Sequence, residues 1–266
     1  MPVRRPRRSS AKFVRYFDLL DAFGKIGCAV CGLLEQGSRK ALEGFLYEQV
    51  NDPETRRKLV ASRGFCNWHS WLLADIQGSH LGVAVLGRHL LAEAAQALEL
   101  SDPSAGAAGN WRGLFRRSRS RQAGALPAWW HGGTDCPLCA MMDRAERDYL
   151  ILLLDFFEEA DFATGFARSG GLCLPHLGRA VEIALHHAHL PALLAAHRDR
   201  WAALAAELDE FIRKYDYRFA SEPMGAEGDS WSRVLEVLAG RAGLFGTGRP
   251  HDGRQTSRRG TTDRSE

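Results

Sequence analysis

The chain has 266 residues, enough for one large domain or two small ones with a buried core in either case. Hydrophobic residues make up 45% and charged residues 25%, the balance of an ordinary soluble protein, and there is no run of about 18 apolar residues of the kind a membrane span needs. The basic N-terminus lacks the apolar stretch of a signal peptide, so a cytoplasmic location is expected.

The net charge of +3 is unevenly spread. Residues 1–12 carry +5, residues 112–121 another +5 and residues 247–266 +2, which leaves −9 for the rest. An acidic body with basic arms is expected. Such arms can contact phosphates, which makes nucleic acid a candidate partner. Charge alone is a weak footprint, and solvated tails are the preferred reading.

In chain order, residues 1–10 are rich in Arg and Ser and are expected to form a disordered basic tail. Apolar residues at 13, 16, 17, 20 and 23 form a helical stripe, and Leu33, Leu34, Leu42, Phe45, Leu46 and Val50 continue one over 30–50. Asn51-Asp52-Pro53 supplies a stop, a cap and a first-turn proline for a short helix to about Ser62. Further helices are expected from near Asn67 and over 80–100. Residues 101–133 mix Gly, Ala, Ser and Arg with Trp111, Trp129 and Trp130 and read as a linker pinned by its tryptophans. Helical patterns resume near 138–158, 160–168, 174–189 and 191–217, and residues 241–266 read as a second flexible tail. No alternating strand or Asn-Gly hairpin turn interrupts them, so the fold class is all-α.

The six cysteines fall into a pattern that uses all of them. Cys28 and Cys31 form one CxxC, Cys136 and Cys139 another; Cys66 with His69, and Cys173 with His176, each form a CxxH. The gap between CxxC and CxxH is 34 residues in the first half and 33 in the second. A shift of 108 also aligns Glu35 with Asp143, Arg39 with Arg147, Leu42 with Leu150 and Leu46 with Leu154. An internal duplication is the natural reading. Its halves would be two helical units, 11–100 and 134–240.

Two intervening residues let both thiolates of a CxxC reach one ion, and residues i and i+3 of a helix's first turn face the same way. Each unit is therefore expected to fold round its own ion: Cys28, Cys31, Cys66 and His69 in the first, Cys136, Cys139, Cys173 and His176 in the second. Three thiolates and a neutral imidazole leave a divalent ion with local charge −1, which nearby helix N-termini would offset. Zinc, two ions, is the expected metal, and a closed four-ligand set is structural rather than catalytic. An iron–sulfur cluster is the alternative cofactor, although all-cysteine ligation is usual there. A redox dithiol would leave the CxxH unexplained, and disulfides are disfavoured in a reducing cytoplasm.

These residues resemble an uncharacterised bacterial family, domain of unknown function 6062. The resemblance is carried by Tyr16-Phe17-Asp18-Leu19-Leu20, Cys28-Ala29-Val30-Cys31, the stretch YEQVNDP at 47–53, both Cys-x-x-His motifs with their preceding glycines, and residues 211–231. It implies paired metal-ligand motifs and no established activity.

Outside the metal motifs, residues 215–231 join two helices through a long loop of acidic, glycine and aromatic residues. Glu222, Met224, Glu227, Asp229 and Trp231 are its candidate binding residues, against the plainer reading of a docked connector in which Asp229 or Ser230 caps the last helix. His186, His187 and His189 lie close in sequence but are expected to form a solvated helix end. His80, His89, His131 and His197 are isolated and call for no special account. No nucleophile elbow or phosphate-cradling glycine loop is present, so no catalytic residue is assigned. The functional expectation is a metal-stabilised interaction or regulatory module with a protein partner. The alternatives are a redox-sensing protein and a metalloenzyme using the 215–231 loop.

Overall fold

The computed structural model describes residues 10–99, 136–219 and 221–244. Residues 1–9 of the basic tail expected over 1–10, the linker at 101–133 with its three tryptophans, and the part of the expected tail beyond 244 lie outside them, while Ser10 is already the first residue of a helix. Among the described residues all regular structure is helical, in agreement with the all-α reading.

Among the described residues ten α-helices follow one another: α1 (Ser10–Phe23), α2 (Ala29–Gly44), α3 (Pro53–Ala61), α4 (Asn67–Ala74), α5 (His80–Glu99), α6 (Pro137–Asp155), α7 (Ala160–Arg168), α8 (Leu174–Ile183), α9 (Leu190–Lys214) and α10 (Ser230–Ala239). A π-helical turn, Phe45–Gln49, extends α2, so the apolar run over 30–50 is one helix in two windings. Asp52 caps α3 by accepting a hydrogen bond from the Thr55 N–H at 2.7 Å, with Pro53 in the first turn.

Helix α8 stops at Ile183, six residues short of the expected end. The reason lies in the histidines. His189 Nδ1 is 2.7 Å from the Leu154 carbonyl oxygen and His187 Nε2 is 3.3 Å from Asp155. Both pull residues 184–189 into turns against the C-terminal end of α6, whose last carbonyls need partners. They are anchors rather than a solvated helix end.

The central pair is α2 and α6. Helix α1 packs on both, α7 on α1, α8 on α6 and α4 on α2, while α3 and α4 meet α5, and α9 carries α10. The larger core cluster draws Leu19, Phe23, Val30 and Leu34 from the first half and Leu150, Leu153, Leu154, Phe162 and Leu193 from the second. The smaller one joins Leu42, Phe45, Leu59, Leu72 and Leu86 to Cys136, Leu138 and Cys139 at the start of α6. Both cores thus contain residues from either side of the chain's midpoint. Folded structure also continues past 240: Leu244 is 1% exposed within the larger core, and Arg241 reaches Glu35 at 2.7 Å.

A pair of glycines brings the backbones of the two halves together. A Cβ on Gly170 would lie 2.9 Å from the Gly27 carbonyl oxygen, and Gly27 itself has φ +86°. Only glycine lets the loop before α2 and the loop before α8 approach backbone to backbone. Gly170→Ala should therefore destabilise the fold by about 1–3 kcal/mol, because backbone rather than a mobile side chain must give way. Urea unfolding of the variant beside wild type checks this, and unchanged stability would show that the loops can part at no cost.

Candidate metal centres

Four helices begin on a cysteine. Cys28, Cys66, Cys136 and Cys173 are the N-cap residues of α2, α4, α6 and α8, each with no side-chain capping hydrogen bond. Cys31, His69, Cys139 and His176 follow in the first turns. The i, i+3 spacing thus places two donor atoms on one side of each helix N-terminus, and the unbonded N-cap sulfur is left for another partner.

The structure gathers these eight residues into two groups, but not the expected two. Cys28 and Cys31 stand with Cys173 and His176; Cys66 and His69 stand with Cys136 and Cys139. Each CxxC is completed by the CxxH of the other half, so the expectation that each half closes a site from its own residues is corrected. The cause is the pairing of α2 with α6. His69 Nε2 lies 3.2 Å from Ser38 Oγ on α2, and His176 Nε2 lies 3.2 Å from Glu146 on α6. Cys31 and Ser38 on α2 therefore serve different groups, as do Cys139 and Glu146 on α6. That arrangement requires α2 and α6 to run antiparallel, and seven residues of helix separate the groups by about 10 Å.

Within each group the donor atoms all lie within 4.8 Å of one another. In the first, His176 Nδ1 is 3.4 Å from Cys28, 3.4 Å from Cys31 and 3.2 Å from Cys173, and the sulfurs of Cys31 and Cys173 are 3.6 Å apart. In the second, His69 Nδ1 is 3.2 Å from Cys66, 3.6 Å from Cys136 and 3.5 Å from Cys139, and Cys139 is 3.6 Å from Cys66. All six cysteines are free. These separations far exceed a disulfide bond of about 2.05 Å. A tetrahedron with metal–sulfur bonds of about 2.3 Å and a metal–nitrogen bond of about 2.0 Å has edges of about 3.8 and 3.5 Å. The residues present fit one ion per group.

The electrostatics point the same way. In the first group burial opposes a charged Cys28, yet hydrogen bonds from Cys173 and Cys31 and the adjacent His176 outweigh it and hold Cys28 well below the ordinary thiol value. Cys173 is pushed up by Cys28 and Cys31. In the second group Cys136 is lowered by hydrogen bonds from Cys139 and Cys66, and Cys139 is raised by Cys136 and Cys66. For His176 and His69 burial favours the neutral ring, but the neighbouring sulfurs prevail and raise both imidazoles. Three thiols this close cannot all ionise by themselves. A divalent cation among them removes the conflict and lets each become thiolate. The N-termini of α2 and α8 at one group, and of α4 and α6 at the other, add partial positive charge.

A model of the family described as a family of unknown function, DUF6062, matches residues 14–243, a span that contains all eight donors. The chain belongs to that family. It is also 24% identical over 231 residues, 84% of this chain and 99% of the relative, to an uncharacterized 23.9 kDa protein in the xynA 3' region of Caldicellulosiruptor sp. (strain Rt8B.4). No solved structure matches.

Sequence reasoning missed one histidine of this DUF6062 chain. His197, isolated from other histidines in the sequence, is 1% exposed and holds the entry to the second CxxH. Its Nδ1 lies 2.8 Å from the Leu193 carbonyl oxygen, and its Nε2 accepts a hydrogen bond from the Leu172 N–H at 2.8 Å, which fixes a neutral ring. Burial pushes its pKa below the ordinary imidazole value. The unfolded chain then binds the extra proton first. The contribution of His197 is complete above the unfolded value of about 6.5 and is lost as pH falls through the lower folded value. His197→Phe should cost about 1–3 kcal/mol at neutral pH by leaving the Leu172 N–H unpaired. It should also lose less further stability than wild type on going to mildly acidic pH, as denaturant curves at the two pH values would show; equal losses would remove His197 from the acid response.

The 215–231 loop is a strapped connector. Glu222 pairs with Arg213, and Glu227, buried, accepts from Lys214 at 2.6 Å and from the Gly225 N–H at 2.8 Å. The Gly225 N–H and Lys214 hold the Glu227 carboxyl down to about 2. Asp229 sits at the N-cap of α10 without a capping hydrogen bond and instead accepts from Arg233 at 2.7 Å. The expected cap by Asp229 or Ser230 is not made. Met224 and Trp231 are exposed, and none of the five joins a metal group among the described residues.

Proposed function

We propose that this protein binds two zinc ions as cross-braces between its two halves, and that the braced helices form a structural or regulatory module that engages another protein. The observation that carries the reading is the pair of buried four-donor groups whose spacings suit single tetrahedral ions. Four protein ligands per ion leave no coordination position for substrate, which supports a structural role over a catalytic one. An iron–sulfur cluster places several irons and bridging sulfides between its ligands, so its cysteine sulfurs stand farther apart than the edges of one tetrahedron; these groups are too tight to favour it. The reading of a metalloenzyme using the 215–231 loop loses support because Glu222, Glu227 and Asp229 are each engaged by a cation.

No helix among the described residues is long and apolar enough to cross a membrane. A cytoplasmic location belongs to the proposal, since six thiols kept ready for metal suit a reducing compartment. Duplication of an ancestral CxxC–CxxH unit is likewise part of it, supported by the matching N-cap positions of all four motifs. Basic arms at 1–12 and 112–121 remain a secondary route to nucleic acid, testable by a steep loss of binding with salt.

The experiment is metal analysis and a visible spectrum of protein purified anaerobically without added metal. Two equivalents of zinc and no colour are expected. Iron with sulfide and broad visible absorption would replace this reading with an iron–sulfur one, and metal-free, folded protein would remove both.

A further inference from the structure

Beside the Cys28 group lies a cleft of about 600 Å³, of a size that holds small molecules. Its walls come from both halves: residues 23–28, the turn at 168–173, one face of α9 and the adjoining side of α10. Phe23, Leu172, Trp201 and Leu204 give it an apolar lining, and Cys28 and Cys173 are at its edge. Lys25, Arg168, Arg200 and Arg233 supply positive charge against Glu207 and Glu236.

These charges are not equally committed. Arg233 is already paired with Glu207 and Asp229. Nearby on α9, Arg213 holds Glu210 and Glu222, and Lys214 holds Glu227. Lys25, Arg168 and Arg200 have no carboxylate partner among the described residues. Arg200 is the most constrained of the three. Its guanidinium stacks 4.5 Å from the Phe166 ring centre and donates from Nη2 to the Phe166 carbonyl oxygen, while the buried Nη1 has no hydrogen-bond partner. A guanidinium with five donors, half-buried and held in place with one of them engaged, is a preformed receptor for an oxyanion.

We propose that this cleft binds a small organic anion, a carboxylate or phosphate on an apolar body, with the charge against Lys25, Arg168 and Arg200 and the body against Phe23 and Trp201. The other use for these cations would be to neutralise the thiolates of the Cys28 group. That use predicts a loss of metal when they are removed, and no ligand. Cys28 and Cys173 border the cleft, but the anion site is built on Lys25, Arg168 and Arg200, none of them a donor, so the inference goes beyond the metal reading and does not depend on which ion is held.

The test is calorimetric titration of the full-length protein as purified with phenyl phosphate, benzoate and inorganic phosphate, with metal content measured on every sample. One of the two aryl anions should bind. Preference for phenyl phosphate assigns the natural ligand to phosphates, and preference for benzoate to carboxylates. Inorganic phosphate should bind more weakly than phenyl phosphate. The double variant Lys25→Gln/Arg168→Gln should weaken aryl-anion binding about tenfold or more with metal content unchanged, and Lys40→Gln, an exposed cation outside the cleft, should not weaken it. The proposal is overturned if neither aryl anion binds, if the double variant binds as wild type does, or if it loses metal while wild type binds no anion. Binding by protein that proves metal-free would leave this inference standing and remove the zinc reading, so the two fail separately.

Discussion

Replacing Cys31 and Cys173 together with serine should leave one zinc ion per chain, whereas replacing Cys31 and Cys66 together should leave none. Cys31 and Cys173 belong to the same group, with sulfurs 3.6 Å apart, while Cys66 belongs to the other. Ligation within each half predicts the reverse: the Cys31/Cys66 pair would spare one ion and the Cys31/Cys173 pair would remove both. Zinc content of the single and double variants, by elemental analysis, decides between them without any structure determination. The energetic consequence follows from the same crossing. Structural zinc contributes about 10–16 kcal/mol of apparent binding free energy in small peptides, and even a fraction of that exceeds the margin of a typical domain. Cys31→Ser should therefore loosen both halves together, because the lost brace ties α2 to α8. Exchange protection measured amide by amide would show it; loss confined to residues before 100 would overturn the crossed arrangement.

Why the candidate donors are legible in the sequence and their pairing is not is a matter of range. The CxxC and CxxH spacings are local, set by one turn and the first turn of a helix, and all eight donors follow from them. The apolar stripe of α1, the stop, cap and proline before α3 and the helical pattern over 160–168 are equally local, and α1, α3 and α7 stand where they put them. Which CxxH completes which CxxC depends on contacts between distant parts of the chain: the antiparallel packing of α2 on α6 and the backbone contact of Gly27 with Gly170. A cysteine carries no label for its distant partner, and proximity along the chain is a poor substitute for it. A signal for part of this was present. The shift of 108 that aligns Leu42 with Leu150 also aligns Ser38 with Glu146, each seven residues after the second cysteine of its CxxC. Two turns along a helix is the same face, so polar residues there, on otherwise apolar stripes, point at the histidine they meet. His197 left no such trace, since a buried histidine four residues after Leu193 reads as ordinary helix.

The difference between Ser38 and Glu146 should make the two ions unequal. His176 meets a carboxylate that is itself nearly buried, and His69 meets a neutral hydroxyl. With Nδ1 facing the sulfurs in both, Nε2–H is the donor, and a carboxylate acceptor raises the basicity of the ring and fixes its tautomer more firmly than a hydroxyl does. Glu146→Gln keeps the shape and removes the charge. It should weaken the ion of the Cys28 group about 10–100-fold in chelator competition and leave the other unchanged, the range usual for partners behind a metal-bound histidine. Cys66→Ser and Cys31→Ser, each retaining a single ion, assign the two phases of release. In wild type the Cys66 group should release first. If Glu146→Gln leaves both phases where they were, the carboxylate fills space beside His176 without tuning it, and the inequality must be sought elsewhere. A braced helical pair with one firm ion and one looser ion would respond to metal scarcity or thiol oxidation in steps. Cys28 and Cys66 both keep some solvent exposure, so the expected order of release rests on Glu146 against Ser38 rather than on access to the sulfurs.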